Sequence, residues 1–199
     1  TTVTKYDTRT GAYIFNVNPI EGQNIHALWL DKRRNVLLGH TSFHADCDSC
    51  PPATDVTSHV CLDAGDLSVL AITPLPNTMH AGGIIGPLNQ AQLLCRYDCV
   101  VDGKPRQPYL AVIDREGFPS PDSAQLRPWP AGGGSAIYAG RPGLFVLHRN
   151  KSVELWDMRK WQCLRLFRRD PQIRRVAVQG NSLYLIRSRD IMILDDALR

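Results

Sequence analysis

Five residues within a short stretch carry the most distinctive chemistry in this chain. They are His44, Cys47, Cys50, His59 and Cys61, in the order His-x2-Cys-x2-Cys-x8-His-x-Cys. A Cys-x2-Cys pair lets two thiolates share one Zn2+ at about 2.3 Å in a tetrahedral site. Thiolate and imidazole are soft ligands that favour Zn2+ over hard cations. The surrounding segment, 43–57, holds Asp46, Asp48, Pro51, Pro52 and Asp55. It has no apolar core of its own, so a structural zinc would explain how it is ordered. The alternative is a solvated loop with two incidental cysteines. His59 and Cys61 stand two apart in a strand-like run and would face the same way, but Cys61 equally suits a strand core. Structural zinc is the one cofactor the sequence suggests.

A second set is cationic. Arg165, Arg168, Arg169, Arg174, Arg175, Arg187 and Arg189 crowd the C-terminal third, where Asp170 is the single acid across 159–189. The guanidinium fork matches phosphate and carboxylate oxygens. Presented on one rim, these residues would suit an acidic protein, or an RNA backbone bound without sequence preference and with strong salt dependence. The plainer reading is a solvated strand surface, since no aromatic residues are interleaved for base stacking.

Catalytic patterns are missing. The sequence has no Gly-x-Ser-x-Gly, no His-Glu-x-x-His and no paired-carboxylate pattern. His26, His80 and His148 form no triad spacing with a nucleophile. Ala131 to Ser135 is glycine-rich but lacks the Lys-Ser/Thr ending of a phosphate loop, and reads as a linker. Cys163 alternates with Leu164 and Leu166 and reads as strand packing. Cys95 and Cys99 flank Arg96-Tyr97-Asp98 with no partner histidine. The expectation is a non-enzymatic protein.

The bulk properties agree with a folded domain. The chain has 199 residues, 43% hydrophobic and 21% charged, with a formal net charge of +4, which is globular rather than disordered composition. No run of about 18 apolar residues exists, so a spanning helix and a membrane partner are not expected. Six cysteines in a chain of this size do not make the dense framework of a small secreted domain. A reducing compartment, cytoplasmic or nuclear, is expected.

The elements that must position these residues come from a recurring run of β-formers that ends in Asp. The copies close on Asp7, Asp63, Asp114, Asp157 and Asp195, spaced 56, 51, 43 and 38 residues apart. An Asp at a strand end suits a turn, because its side chain accepts from backbone N–H groups two residues on. A second short strand follows several copies: Ala12–Val17, Leu67–Ile72 and Gln162–Phe167. Two period-2 runs around a short polar turn predict a hairpin. Two further runs precede the later copies: Ile25–Leu30 with Val36–His40, Ser135–Tyr138 with Leu144–Leu147, and Ile173–Val178 with Leu183–Ile186. The third quarter is looser, Gly82–Gly86 leading to Gln92–Tyr97. Segments 103–108 and 118–123 read as surface loops.

The repeating unit is therefore four strands, and the last two spacings bracket the roughly 40–45 residues of a propeller blade. Ser152–Phe167, with Leu155-Trp156-Asp157 at its turn, and Thr2–Val17, with Tyr6-Asp7, resemble the same element of the WD-repeat β-propellers. Gly39-His40 falls inside a second strand, away from the position that family gives its Gly-His pair. The resemblance implies an all-β propeller of four-stranded blades: 1–17 partial, 25–72, 82–128, 135–167 and 173–197 partial, with 43–57 inserted in the second. A four-stranded blade cannot bury both faces alone, and radial stacking solves that. The chain enters and leaves in a third strand, so the expectation is part of a larger propeller. The functional expectation is a rigid scaffold docking other protein subunits, with an RNA- or ribonucleoprotein-associated role as the alternative.

Overall fold

The computed structural model describes residues 3–17, 23–43, 57–100, 107–122, 125–129, 134–149 and 152–199. Among them the chain is all β, arranged as five successive antiparallel sheets. The first is the hairpin β1 (Val3–Tyr6) and β2 (Tyr13–Val17). The second runs β3 (Gln23–Asp31), β4 (Val36–Phe43), β5 (Ser58–Asp63) and β6 (Val69–Pro74) in sequence order. The third comprises β7 (Met79–Pro87), β8 (Gln92–Cys99), β9 (Gln107–Asp114) and the short β10 (Arg127–Pro128). The fourth comprises β11 (Ser135–Tyr138), β12 (Leu144–Arg149), β13 (Ser152–Asp157) and β14 (Gln162–Arg168). The fifth has three strands, β15 (Ile173–Gln179), β16 (Ser182–Arg187) and β17 (Ile191–Leu194).

Several strand limits differ from the sequence periodicity, for local reasons. The run from Leu67 becomes a strand only at Val69, because Leu67 adopts φ 63° and turns its side chain into the core. The third sheet looked loose because β7 slips register twice against β8, between Ala81 and Gly83 and between Ile84 and Gly86. Each bulge adds a residue and breaks the two-residue alternation. Phe118, read as part of a surface loop, is 2% exposed. Its ring stacks on two histidines of the second sheet, and that apolar contact draws the backbone inward.

The sheets pack face to face, and each gap has its own core. Val3 packs with Val60, Leu62 and Leu67 between the first and second sheets. Leu38 meets Leu93, Cys95, Tyr97 and Ala111 between the second and third. Leu94 and Leu110 meet Phe145 and Met158 between the third and fourth. Val146, Val153 and Leu155 meet Val176, Leu183 and Leu185 between the fourth and fifth. This is why β8 reads Leu93-Leu94-Cys95: successive side chains point to opposite faces, and both faces are covered. Burying each such leucine contributes about 1.5–3 kcal/mol.

Candidate functional site

The strand-end aspartates divide into two kinds. Asp7 Oδ1 accepts the N–H of Arg9 at 2.8 Å and of Thr10 at 2.9 Å. Asp63 Oδ1 accepts from Gly65 and Asp66 at 2.6 and 3.2 Å. Asp157 Oδ1 accepts the Arg159 N–H at 3.0 Å, and the Arg159 guanidinium clamps both carboxylate oxygens at 3.0 and 2.9 Å. That clamp, more than the backbone bond, holds the Asp157 carboxyl below the usual range. The carboxyl of Asp7 is lowered by the N–H groups of Thr10 and Arg9. Asp114 and Asp195 instead take side-chain donors from the neighbouring strand, Gln92 Nε2 at 3.1 Å and Ser182 Oγ at 3.0 Å.

Of the candidate zinc ligands, His44, Cys47 and Cys50 lie outside the described residues. His59 and Cys61 share one face of β5, turned toward the third sheet. His59 is 1% exposed and both its ring nitrogens are engaged. Nδ1 lies 3.0 Å from the Phe118 carbonyl, so it carries the proton and donates. Nε2 then accepts from the Tyr97 hydroxyl at 2.8 Å. This arrangement leaves neither nitrogen for a metal. Burial drives the His59 pKa down to about 4, so the ring is neutral. Burial also raises the half-buried Cys61 thiol, against the opposing pull of Arg34. Among the described residues no group of three His, Cys, Asp or Glu side chains could hold a metal ion.

Around His59 the structure assembles a buried aromatic cluster. His40, its register partner on β4, stacks at 4.9 Å between centroids, and Phe118 stacks at 4.2 Å, with 5.7 Å between His40 and Phe118 themselves. Tyr97 completes the group at 5.8 Å. Cys95 and Cys99 flank Tyr97 on the same face and are buried. Burial pushes the Cys95 thiol up to about 12 and the Tyr97 hydroxyl well above its ordinary range. A thiol in this state is a packing group rather than a nucleophile. Cys163, by contrast, is exposed. It was expected to pack, but β14 is an edge strand whose residues are almost all exposed, Leu164 at 50% and Leu166 at 44% included.

The C-terminal arginines gather at one end of the last two sheets. β14 ends at Arg168, β15 starts at Ile173, and the turn from β16 to β17 spans 188–190. The register Ile173↔Arg187 sets those two turns side by side. Arg187 is occupied there: it grips Asp190 at 2.6 and 2.7 Å and reaches Asp170 at 3.5 Å. Arg168 stands 4.0 Å from Asp170, and Arg174 Nε donates to Ser188 Oγ at 3.3 Å. Arg168, Arg169, Arg174, Arg175 and Arg189 are exposed. Arg165 belongs elsewhere, with its guanidinium over Phe167 and directed at the Ala197 carbonyl.

A pattern not read from the sequence is that all four tryptophans carry an arginine over the ring. Arg115 covers Trp29 at 4.6 Å, Arg127 covers Trp161 at 5.1 Å, Arg96 covers Trp129 at 5.5 Å and Arg149 covers Trp156 at 5.9 Å. Such contacts stabilise by about 0.5–1 kcal/mol where exposed and more when desolvated. The partners come from different strands and connections at unequal separations, so no sequence spacing announces them. Trp129 and Arg96 also line a groove of about 460 Å³ between β7 and β11. The Trp129 indole N–H and the Arg96 Nε are buried and have no hydrogen-bond partner among the described residues. Each such donor costs about 1–3 kcal/mol when left unmatched.

No protein-family model matches this chain, and no curated protein matches it.

Proposed function

We propose that the sheets are blades of a WD-repeat-like β-propeller and that the protein is a non-enzymatic platform docking other protein subunits at its basic end. The propeller reading is supported by four-stranded meanders in sequence order, each stacked on the next through its own core. The docking reading rests on one observation: Arg168, Arg169, Arg174, Arg175 and Arg189 are exposed together at one end of two packed sheets, beside Asp170 and Asp190. An excess of fixed cations on a rigid surface steers an acidic partner and sets its orientation. Intracellular residence remains part of this proposal. So does a structural Zn2+ in the 43–57 insertion, with His44, Cys47, Cys50 and Cys61 as its ligands; metal analysis of the purified protein and of Cys47→Ser checks it.

The test compares the native protein with an Arg168→Glu/Arg174→Glu/Arg175→Glu variant, using fluorescence anisotropy against a polyglutamate peptide and a generic single-stranded RNA. The platform reading expects saturable peptide binding at low salt that the variant loses. Peptide binding unaffected by the triple reversal would defeat it. An RNA-associated role is the second reading, favoured by the same exposed arginines, whose guanidinium forks also match phosphate oxygens. It expects RNA to bind with a steep salt slope, and absence of RNA binding at low salt would end it.

A further inference from the structure

We infer that the groove between β7 and β11 is a binding site for the carboxylate of an acidic peptide, held by Arg96 and by the indole N–H of Trp129. The inference deepens the platform reading and rests on it, since it gives the same kind of partner a second, more selective contact. At about 460 Å³ the groove falls within the range of about 300–1,000 Å³ that small-ligand sites occupy. Its walls are mostly apolar, with Ile84 and Ile85 from one edge strand and Ala136 and Ile137 from the other. The polar groups on its lining are unusual. Trp129 is 6% exposed, yet its indole nitrogen has no partner among the described residues, and neither has Arg96 Nε. Buried N–H groups are nearly always paired in folded proteins, so two unmatched donors in one groove point to a missing acceptor.

The chemistry of that acceptor follows from the donors. A carboxylate offers two oxygens and accepts only, which matches one indole and one guanidinium N–H. Asp98 already holds Arg96 Nη2 at 3.2 Å and offsets part of its charge. A singly charged carboxylate therefore fits the groove better than a phosphate. Arg96 lies over the indole, and its side chain is 32% exposed. Rotation of its outer torsions uncovers both donors. Its stem packs directly on Gly82 across the strand pair, where an added Cβ would come within 2.8 Å of Arg96 Cγ and displace it. The apolar walls select the residues that flank the acid, so the expected ligand is a glutamate or aspartate between aliphatic side chains.

Two-dimensional NMR of the tryptophan indole groups tests this. The probes are acetyl-Leu-Glu-Leu-amide and its Gln counterpart, with the Trp129 resonance assigned by its loss in Trp129→Phe. The Glu peptide is expected to shift that resonance saturably, and the Gln peptide to leave it in place. Read by fluorescence anisotropy of the labelled Glu peptide, binding should weaken about tenfold in Trp129→Phe, which keeps an aromatic ring and removes the N–H donor. It should be unchanged in Arg174→Glu/Arg175→Glu. Equal shifts from both peptides, or no shift from either, overturn the proposal; this comparison uses the native protein and does not depend on any variant folding. If the Glu peptide binds but only the Arg174→Glu/Arg175→Glu variant loses it, the groove is ruled out and the platform reading stands.

Discussion

His59 is where the structure departs furthest from what its residue type suggested. A histidine near two cysteines invites a metal, but this one spends Nδ1 on the Phe118 carbonyl and Nε2 on the Tyr97 hydroxyl. Its folded pKa of about 4 lies below the ordinary 6.5, so only the unfolded chain takes up the proton between those values. Stability is therefore full above pH 6.5, falls as the pH drops toward 4, and levels off below it. The loss amounts to roughly 3 kcal/mol. Urea unfolding of the native protein and of His59→Gln across this range should show a difference that shrinks as the pH falls; a constant difference would contradict the assignment. Tyr97→Phe leaves His59 Nε2 unmatched in the core and should cost about 1–3 kcal/mol at neutral pH. The alternation of β5 showed that His59 could face inward. Nothing in the sequence showed that Phe118, more than fifty residues on, would cap it.

Among the elements, the strand-end turns looked alike in sequence and differ in structure. Asp157 is 4% exposed and carries the Arg159 clamp as well as a backbone bond. Asp157→Ala should cost about 2 kcal/mol, because it removes charge-assisted hydrogen bonds from a buried carboxylate. Asp114 is exposed and takes one donor from Gln92, so Asp114→Ala should change stability by less than about 0.5 kcal/mol. Thermal melts of the two variants decide whether the shared motif has a shared weight. The same turn constrains Gly143, whose φ is +81° and whose added Cβ would lie 2.6 Å from Arg159 Nε. The edge strand β14 supplies a different test. Cys163 should react with a thiol reagent in the folded state, slowly because burial and Glu154 raise its pKa, and Cys163→Ser should remove that reaction. Cys95 and Cys99 should react only on unfolding. Hairpin composition and turn residues announced these elements. The exposure of β14 was not legible, since Cys163-Leu164-Arg165-Leu166 has the composition of a packed strand and only its neighbours decide whether it is covered.

For the molecule as a whole, each sheet turns one apolar face forward, and the next sheet covers it. The fifth sheet keeps that pattern, with Ile191 at 59% and Ile193 at 51% exposed beside Tyr184 and Ile186. In a closed propeller another blade covers that face. Ile193→Cys in the intact protein should then be shielded from a bulky thiol label, judged against Cys163, and free labelling would argue for an open stack. The sequence by itself determined that the chain is β, where its hairpins turn, and that its strands alternate between two buried faces, because these depend on neighbours one to four residues apart. The tertiary structure alone decided which histidine nitrogens were occupied, which arginine met which tryptophan, and which donors in the groove found no partner among the described residues. Most of those contacts join residues tens of positions apart, and the Arg115–Trp29, Arg127–Trp161 and His59–Phe118 contacts cross the gaps between sheets. They follow from the stacking register of whole sheets, which no local spacing encodes.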